Sequence, residues 1–542
     1  MPALAAISRG EFLQLFQRCM PPGGWPHTIA VANSGGPDST CLLYHLASLL
    51  KGGPSGLPQR VVSFHINHQL QTASDDMADV AAGTARALGV EHFFFTIPWS
   101  KNSYPSYPDA ARTELTARGA RVRAFFDMMT GEGATALVLG HHADDQVETM
   151  IMRSARGSRL QGLGGMLPVR RWGMGDVSRE DRLGVFGLPG MSRWMVRPLL
   201  TVPKDRILAT CDRNALRYAI DKTNFQPSLT MRNAIRHALD SPSKLTDIRS
   251  LQPSILSETA TQLSVHLSGD FMRLETRDEL RECARLLRQR VEMHDTQGQC
   301  DHMDNILARC LMPTLPSTLV LPSQWLQGVP TETLDILVSR VLRYASRHPW
   351  GSIVAQASGS RASYQAIADN VTWDVSDTRR RSAFTRGGAV LFVPGFVDGD
   401  GTFRQGDNQP QDARPAWRLQ AAPPMESNSL IITSLLSQWR PGQENPAVLY
   451  DNRFLLRFNM GHIPRYILHS LSQDAVVQIT HDGPEYSPQV VLLTPKFKIV
   501  VANYRRDVLG LDHKTSKKSK NPVPMPEQKW VHMELVRTLE AY

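Results

Sequence analysis

Ile29-Ala-Val-Ala-Asn-Ser-Gly-Gly-Pro-Asp-Ser-Thr40, continued by Cys41-Leu42-Leu43, reads as a short buried strand, a glycine turn and the start of a helix. Such a turn aims unpaired backbone N–H groups at an anion, above all a phosphate. Gly35 and Gly36 permit the tight turn and let a phosphate oxygen approach the main chain with no Cβ in the way. Ser34 and Ser39 add hydroxyl donors. Asp38 is out of place in a bare anion site, because a carboxylate repels phosphate unless a cation lies between them. The stretch therefore points to a nucleotide–magnesium site, with Asp38 touching the metal or the reacting centre. It is not a Walker A loop, whose Gly-Lys-Ser/Thr ending is absent.

Downstream, apolar strand-like runs alternate with helical segments to about residue 225. Ile29–Ala32 is followed by a helix from Ser39 to about Leu50, and Val61–Ile66 by a helix near 73–88. His92–Ile97 precedes a helix over Thr113–Met129, with Leu115, Val122, Phe125 and Met129 near one face. Ala136–Leu139 is a fourth strand, closed by Gly140. This rhythm predicts an α/β fold with a doubly wound parallel sheet, whose ligands sit beyond the carboxyl ends of the strands.

From about 230 the pattern turns helical, with Leu334, Leu337, Val338, Val341 and Leu342 at three- and four-residue spacing. After about 385 it turns strand-like, with a hairpin expected around Asp451-Asn452. Gly401–Ser427, rich in Gln, Pro and Asp, reads as a linker or exposed insertion. The expected organisation is an N-terminal helix or leader over 1–26, a catalytic domain over 27–228, a helical domain over 229–385, and a smaller β-rich region over 386–542. In the first segment Arg9 and Arg18 stand against Glu11 alone, which suits a mitochondrial presequence. Phe12, Leu13, Leu15 and Phe16 suit a packed helix better.

The chain has 542 residues, too many for one core. Its hydrophobic content of 42% and charged content of 20% suit a soluble globular protein, and no apolar run approaches transmembrane length. A net charge of +9 suits a polyanionic partner such as RNA. The six cysteines include no Cys-x-x-Cys pair, which fits neither a zinc site nor a disulfide framework and points to a reducing compartment.

A second constellation, Gly140-His-His-Ala-Asp-Asp-Gln-Val-Glu-Thr149, follows the fourth strand. With a helix from Ala143 onward, His141, Asp145 and Glu148 share one face. Such a cluster holds magnesium, positions an amine or moves a proton. His-Glu-x-x-His is absent, so the segment is not a zincin.

Together these segments resemble the PP-loop ATP pyrophosphatases (an adenine nucleotide alpha hydrolase-like fold) and, within them, the tRNA(Ile)-lysidine synthases. Ser34–Ser39 is similar to the PP-loop, His65-Ile-Asn-His68 to a strand-end signature, and Glu114-x-x-Ala-Arg118-x-x-Arg121 to a helix signature. His141–Thr149, Arg156-Gly157-Ser158 with Gly162-Leu163, and Arg197-Pro-Leu-Leu200 follow in family order. Asp221-Lys-Thr-Asn224 with Arg232-Asn233 and Arg236-His237 resembles the ending. The chain departs from the pattern at Val122, where the family has tyrosine, and at Arg159, where it has glycine. About 25 residues are inserted between Met166 and Arg197, and beyond about 350 the resemblance fades.

The resemblance implies ATP-dependent joining of L-lysine to C2 of the wobble cytidine in tRNA(Ile) with a CAU anticodon, releasing AMP and pyrophosphate. It implies ATP on Ser34, Gly35, Gly36, Pro37, Asp38 and Ser39, and Mg2+ on Asp38 and Asp145. Glu148 and His141 orient the lysine amine or take its proton. Arg118 and Arg121 contact phosphate or the lysine carboxylate, or form structural salt bridges. Arg197, Arg232 and Arg236 contact the tRNA backbone, and the helical domain over 229–385 binds tRNA. Arg379-Arg380-Arg381 with Arg386 extend that footprint or form a solvated loop, and His513–Lys520 is a basic tail or a phosphate contact. Such enzymes work in bacterial cytoplasm or in organelles, often as dimers; the long carboxy-terminal third hints at a mitochondrial enzyme. Two rivals stand: a 2-thiolating PP-loop tRNA modifier, and a catalytically idle RNA-binding scaffold.

Overall fold

The structure is a computed structural model. Up to residue 296 it describes 5–53, 55–70, 74–101, 104–108, 113–156, 158, 160–175, 183–220, 231–239 and 276–296. Beyond that it describes 307, 317–327, 329, 331–352, 355, 361–371, 382–386, 389–399, 401–406, 413–424, 429–473, 475–483, 486–509, 511–512, 515–518 and 529–539. The chain divides into two compact units, the first of residues 1–297 with 542 and the second of 298–541.

In the first unit, α1 (Arg9–Gln17) precedes β1 (Thr28–Ala32), α2 (Pro37–Leu50), β2 (Arg60–Asn67), α3 (Ser74–Ala87) and β3 (Glu91–Thr96). Then come α4 (Thr113–Gly131), β4 (Ala136–Val138), α5 (Ala143–Ser154), α6 (Leu160–Leu163), β5 (Val169–Arg171) and β6 (Trp194–Val196). Three helices follow: α7 (Lys204–Arg213), α8 (Met231–Leu239) and α9 (Arg277–Thr296). The six strands lie in the order β3-β2-β1-β4-β6-β5, parallel except for β5, which runs antiparallel on β6. The doubly wound sheet expected from the alternating pattern is present. β5 lies between Met166 and Arg197, the interval in which the sequence reading expected an insertion.

Strand β1 shows why the sheet reads as a continuous apolar run. Ile29 and Val31 point into one core with Phe12, Phe16, Leu42, Leu46 and Ile207, while Ala30 points into another with Val62, Phe64 and Met129. Both faces are covered, as a parallel sheet requires. Helix α1 buries Phe12 and Phe16 in the first of these cores. Its only acid, Glu11, receives two hydrogen bonds from Arg206 of α7, at 2.7 and 2.8 Å.

Helices α8 and α9 bury Ile235, Leu239, Leu280, Leu287 and Val291 against Val147, Met150 and Ile151 of α5 and Leu160 and Leu163 of α6. They belong to the first unit, although the sequence reading set them in a separate helical domain. The expected boundary at 228 lies outside the described residues.

The second unit opens with β7 (Leu319–Pro322), α10 (Thr331–Ala345), α11 (Arg361–Val371), β8 (Phe384–Arg386), β9 (Val390–Val397), β10 (Phe403–Gln405) and β11 (Arg414–Ala421). β10-β9-β11-β7 form an antiparallel sheet with β8 on β9. Leu337, Val341 and Leu342 of α10 share its core with Phe392 and Trp417. The boundary expected at 385 therefore falls inside one core. The linker expected over Gly401–Ser427 is also corrected, because β11 pairs with β9 along all eight residues and Trp417 is 1% exposed. Polar composition was a local signal, and pairing with a distant apolar strand overrides it.

Antiparallel strands continue with β12 (Leu430–Ile431), β13 (Ala447–Tyr450), β14 (Phe454–Phe458), β15 (Val476–Asp482), β16 (Ser487–Leu493), β17 (Lys498–Asn503), β18 (Leu511–Asp512), β19 (Thr515–Lys518) and β20 (Val531–Leu535). β13 and β14 form the expected hairpin, with Asp451 and Asn452 at φ 54° and 50° in its turn. Of the basic tail at His513–Lys520, Thr515–Lys518 is strand, while 513–514 and 519–520 lie outside the described residues. Arg379–Arg381 also lie outside them; Arg386 ends β8. No helix among the described residues is long and apolar enough to cross a membrane.

Candidate functional site

β1 and β4 are parallel neighbours at the point where the strand order reverses. A doubly wound sheet opens a crevice there, beyond the strand ends. The Ser34–Ser39 loop leaves β1 and the Gly140–His142 segment leaves β4 on that side. They touch through backbone: a Cβ on Gly140 would lie 3.0 Å from the Asp38 carbonyl carbon and 3.2 Å from the Ser39 nitrogen. Gly140 is what lets the two strand ends close up.

Within the loop the two glycines do different work. Gly35 holds φ +80°, and a Cβ there would meet the Met77 carbonyl oxygen at 2.5 Å. Gly36 has an ordinary φ of −76° and is the N-cap of α2. Of the two, Gly35 alone needs a left-handed backbone. No side chain caps α2, and Pro37 stands in its first turn, so N-terminal N–H groups remain for an incoming acceptor. Asn33 braces the turn. Its Oδ1 accepts from the Gly35 N–H at 3.0 Å, while its Nδ2 donates to Ser63 Oγ at 3.1 Å and to the Ala81 carbonyl at 3.2 Å. The Ser34 N–H donates to Ser39 Oγ at 3.2 Å.

α5 starts at Ala143 with His142 as its N-cap, in a reciprocal capping box. The Asp144 N–H donates to His142 Nδ1 at 3.2 Å, and Asp145 Oδ2 accepts from the His142 N–H at 3.0 Å. Because Nδ1 accepts, the ring hydrogen sits on Nε2. Nε2 lies 3.7 Å from Asp38 Oδ1 and 3.6 Å from Asp145 Oδ2, bridging the two loops. Lys204, the first residue of α7, donates to Asp38 Oδ1 at 2.6 Å.

Glu148, one turn deeper, is 1% exposed. Arg236 reaches both its oxygens, at 2.9 and 3.2 Å, and Arg232 Nε lies 3.2 Å from Oε2. Burial and the Asp145 charge raise the Glu148 pKa, against the pull of Arg236 and Arg232. Burial also works to raise Asp145, but His142, His141 and Arg232 outweigh it and hold that carboxyl below the usual range. The buried Asp144 is held down by Arg281, which donates to both its oxygens.

These groups line one cavity of about 810 Å³, together with His65, Asn67, His68 and Arg121. Of the residues expected from sequence, Ser34, Gly36, Pro37, Asp38, Ser39, His141, Asp145, Glu148, Arg121, Arg232 and Arg236 line it. Four placements differ from expectation. Gly35, expected to touch ATP, does not line the cavity and packs against the Met77 carbonyl of α3. His141 precedes the N-cap, so it is not on the α5 face; burial brings its pKa down to about 4, and its Nδ1 is buried without a partner. Arg197 is 7% exposed and donates to the Leu167 carbonyl at 2.9 Å, so it cannot meet an RNA backbone as expected. Arg118 is exposed on α4 and does not line the cavity, unlike Arg121 one turn on. Asp221–Asn224 lies outside the described residues.

Sequence reasoning passed over His142, Lys204 and Asn33. The first sat in a quoted motif, but histidine is not among the usual capping residues. Lys204 carried no local signal; only the packing of α7 on α2 brings it to Asp38.

Among the described residues no group of three or more His, Cys, Asp or Glu could hold a metal ion. Asp38 and Asp145 nevertheless fit magnesium, which takes one or two carboxylates and fills its shell with water and phosphate oxygens.

Residues 8–242 match the family model of a PP-loop domain. The tRNA(Ile)-lysidine synthase of Bacillus subtilis (strain 168) is 35% identical over 212 residues, which is 39% of this chain and 39% of that relative. Its counterpart in Methylobacterium nodulans is 32% identical over 222 residues, 41% of this chain and 56% of the relative. The one in Ralstonia nicotianae is 34% identical over 218 residues, 40% and 41% respectively. The aligned part thus spans from about two fifths to just over half of these relatives' length. A U34-tRNA thiolase, NcsA from Methanococcus maripaludis with its [4Fe-4S] cluster, aligns over 48% of this chain and 81% of its own. Its TM-score of 0.32 and 16% identity are too low to bear on this protein. Residues 8–242 are thus similar to a PP-loop domain and to the matching part of the lysidine synthases.

Proposed function

We propose that this protein joins lysine to C2 of the wobble cytidine of a tRNA(Ile) with a CAU anticodon, using ATP. The observation that carries the reading is the backbone contact of Gly140 with Asp38 and Ser39, which sets the phosphate turn and the acidic helix on one cavity. The C2 carbonyl oxygen is a poor leaving group. Its attack on the α-phosphate forms a C–O–P bond and expels pyrophosphate. The lysine amine then attacks C2, forming the C–N bond and releasing AMP.

In this reading the N–H groups at the start of α2, with Ser34 and Ser39, seat the pyrophosphate half of the triphosphate. Asp38 and Asp145 would hold magnesium, which when bound offsets negative charge between the phosphates. Lys204 holds the Asp38 charge otherwise. Glu148 takes or orients the lysine proton, because an ammonium cannot attack. Its raised pKa suits that work better than the depressed one of His141. Arg232 and Arg236 neutralise Glu148 and stand ready for RNA phosphate; Arg121 is the arginine of its pair that faces the cavity.

The 2-thiolating reading needs thiolates at the site. No cysteine lines the cavity among the described residues, and Cys41 of α2 and Cys211 of α7 lie buried in the core. Incubation with ATP and labelled lysine, with and without the transcript, tests the proposal. Label should enter the RNA, with AMP released in equal amount. Transfer of sulfur instead, or RNA binding with no AMP, ends it.

A further inference from the structure

Lys204 is left without a task in the reaction above once magnesium occupies Asp38. Its ammonium donates to Asp38 Oδ1 at 2.6 Å, with the two side chains 25% and 30% exposed. Among the described residues this is the one hydrogen bond and the one ion pair that the Lys204 side chain makes. His142 Nε2 faces the same carboxylate oxygen from 3.7 Å.

The other carboxylates of the cavity are already held. Arg281 donates to both oxygens of Asp144 and lies 3.4 Å from Asp205. Asp145 accepts from the His142 N–H, and Arg232 and Arg236 hold Glu148. An ammonium that leaves Asp38 therefore finds no uncommitted carboxylate among the described residues of the cavity.

The backbone that carries Lys204 is fixed, but its side chain can swing. Ile207 and Cys211 of α7 sit in one core with Cys41, Leu42 and Leu46 of α2. Just ahead of α7, the Val202 carbonyl accepts from the Ala143 N–H at 3.0 Å, which ties it to the start of α5. Lys204 itself is a point charge on a flexible four-carbon stem, and it lines the same cavity as Ser34, Gly36 and Ser39. A divalent cation and an ammonium repel each other at one carboxylate, and the divalent charge binds it more strongly.

We infer that Lys204 is an exchangeable cation: it holds Asp38 in the empty site, yields it to magnesium, and carries its ammonium onto the nucleotide phosphates. The inference rests on the nucleotide–magnesium part of the function proposed above and needs neither lysine nor RNA. Without nucleotide, Lys204 competes with the metal for Asp38 and weakens metal binding. With the metal in place, the freed ammonium adds a charge-assisted contact to phosphate. Lys204 thereby makes metal and nucleotide each favour the other's binding, a coupling that is reciprocal.

The test compares the full-length parent with Lys204→Met, which keeps the stem and removes the charge. Free Mn2+ counted by paramagnetic resonance gives the metal affinity without nucleotide. Calorimetry with a non-hydrolysable ATP analogue at saturating Mn2+ gives the nucleotide affinity. Lys204→Met should bind Mn2+ about tenfold more tightly and the analogue about tenfold more weakly. Lys204→Arg keeps the charge and should leave both affinities close to the parent values. A lysine that only ties α7 to α2 would lower both affinities together on Lys204→Met, and that parallel loss overturns the inference. So does a shift in only one of the two, or a Lys204→Arg protein that shifts as far as Lys204→Met. Opposite shifts in a protein whose parent never transfers lysine sink the ligation reading and leave this exchange standing. Lysine transfer by the parent, with Mn2+ affinity unmoved on Lys204→Met, does the reverse.

Discussion

Asp38 is the carboxylate on which the candidate site converges, bonded by Lys204 and faced by His142. Asp38→Asn keeps the volume and removes the charge, so pyrophosphate release should fall to background while the fold survives. Release at the parent rate would remove Asp38 from the chemistry. Gly140 gives a sharper geometric test, because its neighbours are backbone atoms at 3.0 to 3.2 Å and cannot rotate away. Gly140→Ala should push the start of α2 by a few tenths of an ångström and cost about tenfold in ATP affinity, or about 1.4 kcal/mol. Calorimetry that finds the affinity unchanged would show that the loop contact does not set the nucleotide site. Gly35 was legible in the sequence as a turn residue. Gly140 was legible only as a strand end, because the chain it touches lies a hundred residues away.

At the scale of elements, α5 is the hub: its cap faces the cavity and its apolar face packs on α8 and α9. Arg281 of α9 ties the two faces together by holding Asp144, with side chains 12% and 11% exposed. Arg281→Ala would leave a largely buried carboxylate without its cation, at a cost of about 3 kcal/mol. Thermal unfolding of the full chain should show a lowered midpoint for the first transition, and Asp144→Asn in the same background should recover part of it. An unshifted midpoint would mean that water replaces the arginine. The strands and helices of the first unit were readable because each carries its own period, as Ile29, Ala30 and Val31 show. β11 was not readable: Trp417 and Leu419 become core residues only once β9 lies beside them.

Across the molecule, stability should depend on acid in a defined direction. Burial brings His45, His92 and His141 of the first unit down to about 4, from an ordinary 6.5. The unfolded chain takes up these protons below pH 6.5 and the folded chain refuses them until about 4. Their stability contribution is therefore whole above 6.5 and is lost as pH falls through that window. Melting midpoints measured from pH 7.5 to 5 should decline, and His45→Leu, which keeps an apolar contact with Phe12, should flatten the decline. A flat profile in the parent would show that these rings are protonated when folded. His513–Lys520 and Arg379–Arg381 show where composition stops informing, since charge alone does not say whether a segment binds or is only solvated. By itself the sequence determined the alternating α/β architecture and the phosphate turn at Ser34–Ser39, because strand, turn and helix preferences are local and periodic. It also set out the acidic segment at Asp144–Glu148. Tertiary structure alone decided that Lys204 meets Asp38, that Arg232 and Arg236 meet Glu148, and that Arg197 is buried, because each depends on which distant helix or strand packs nearby.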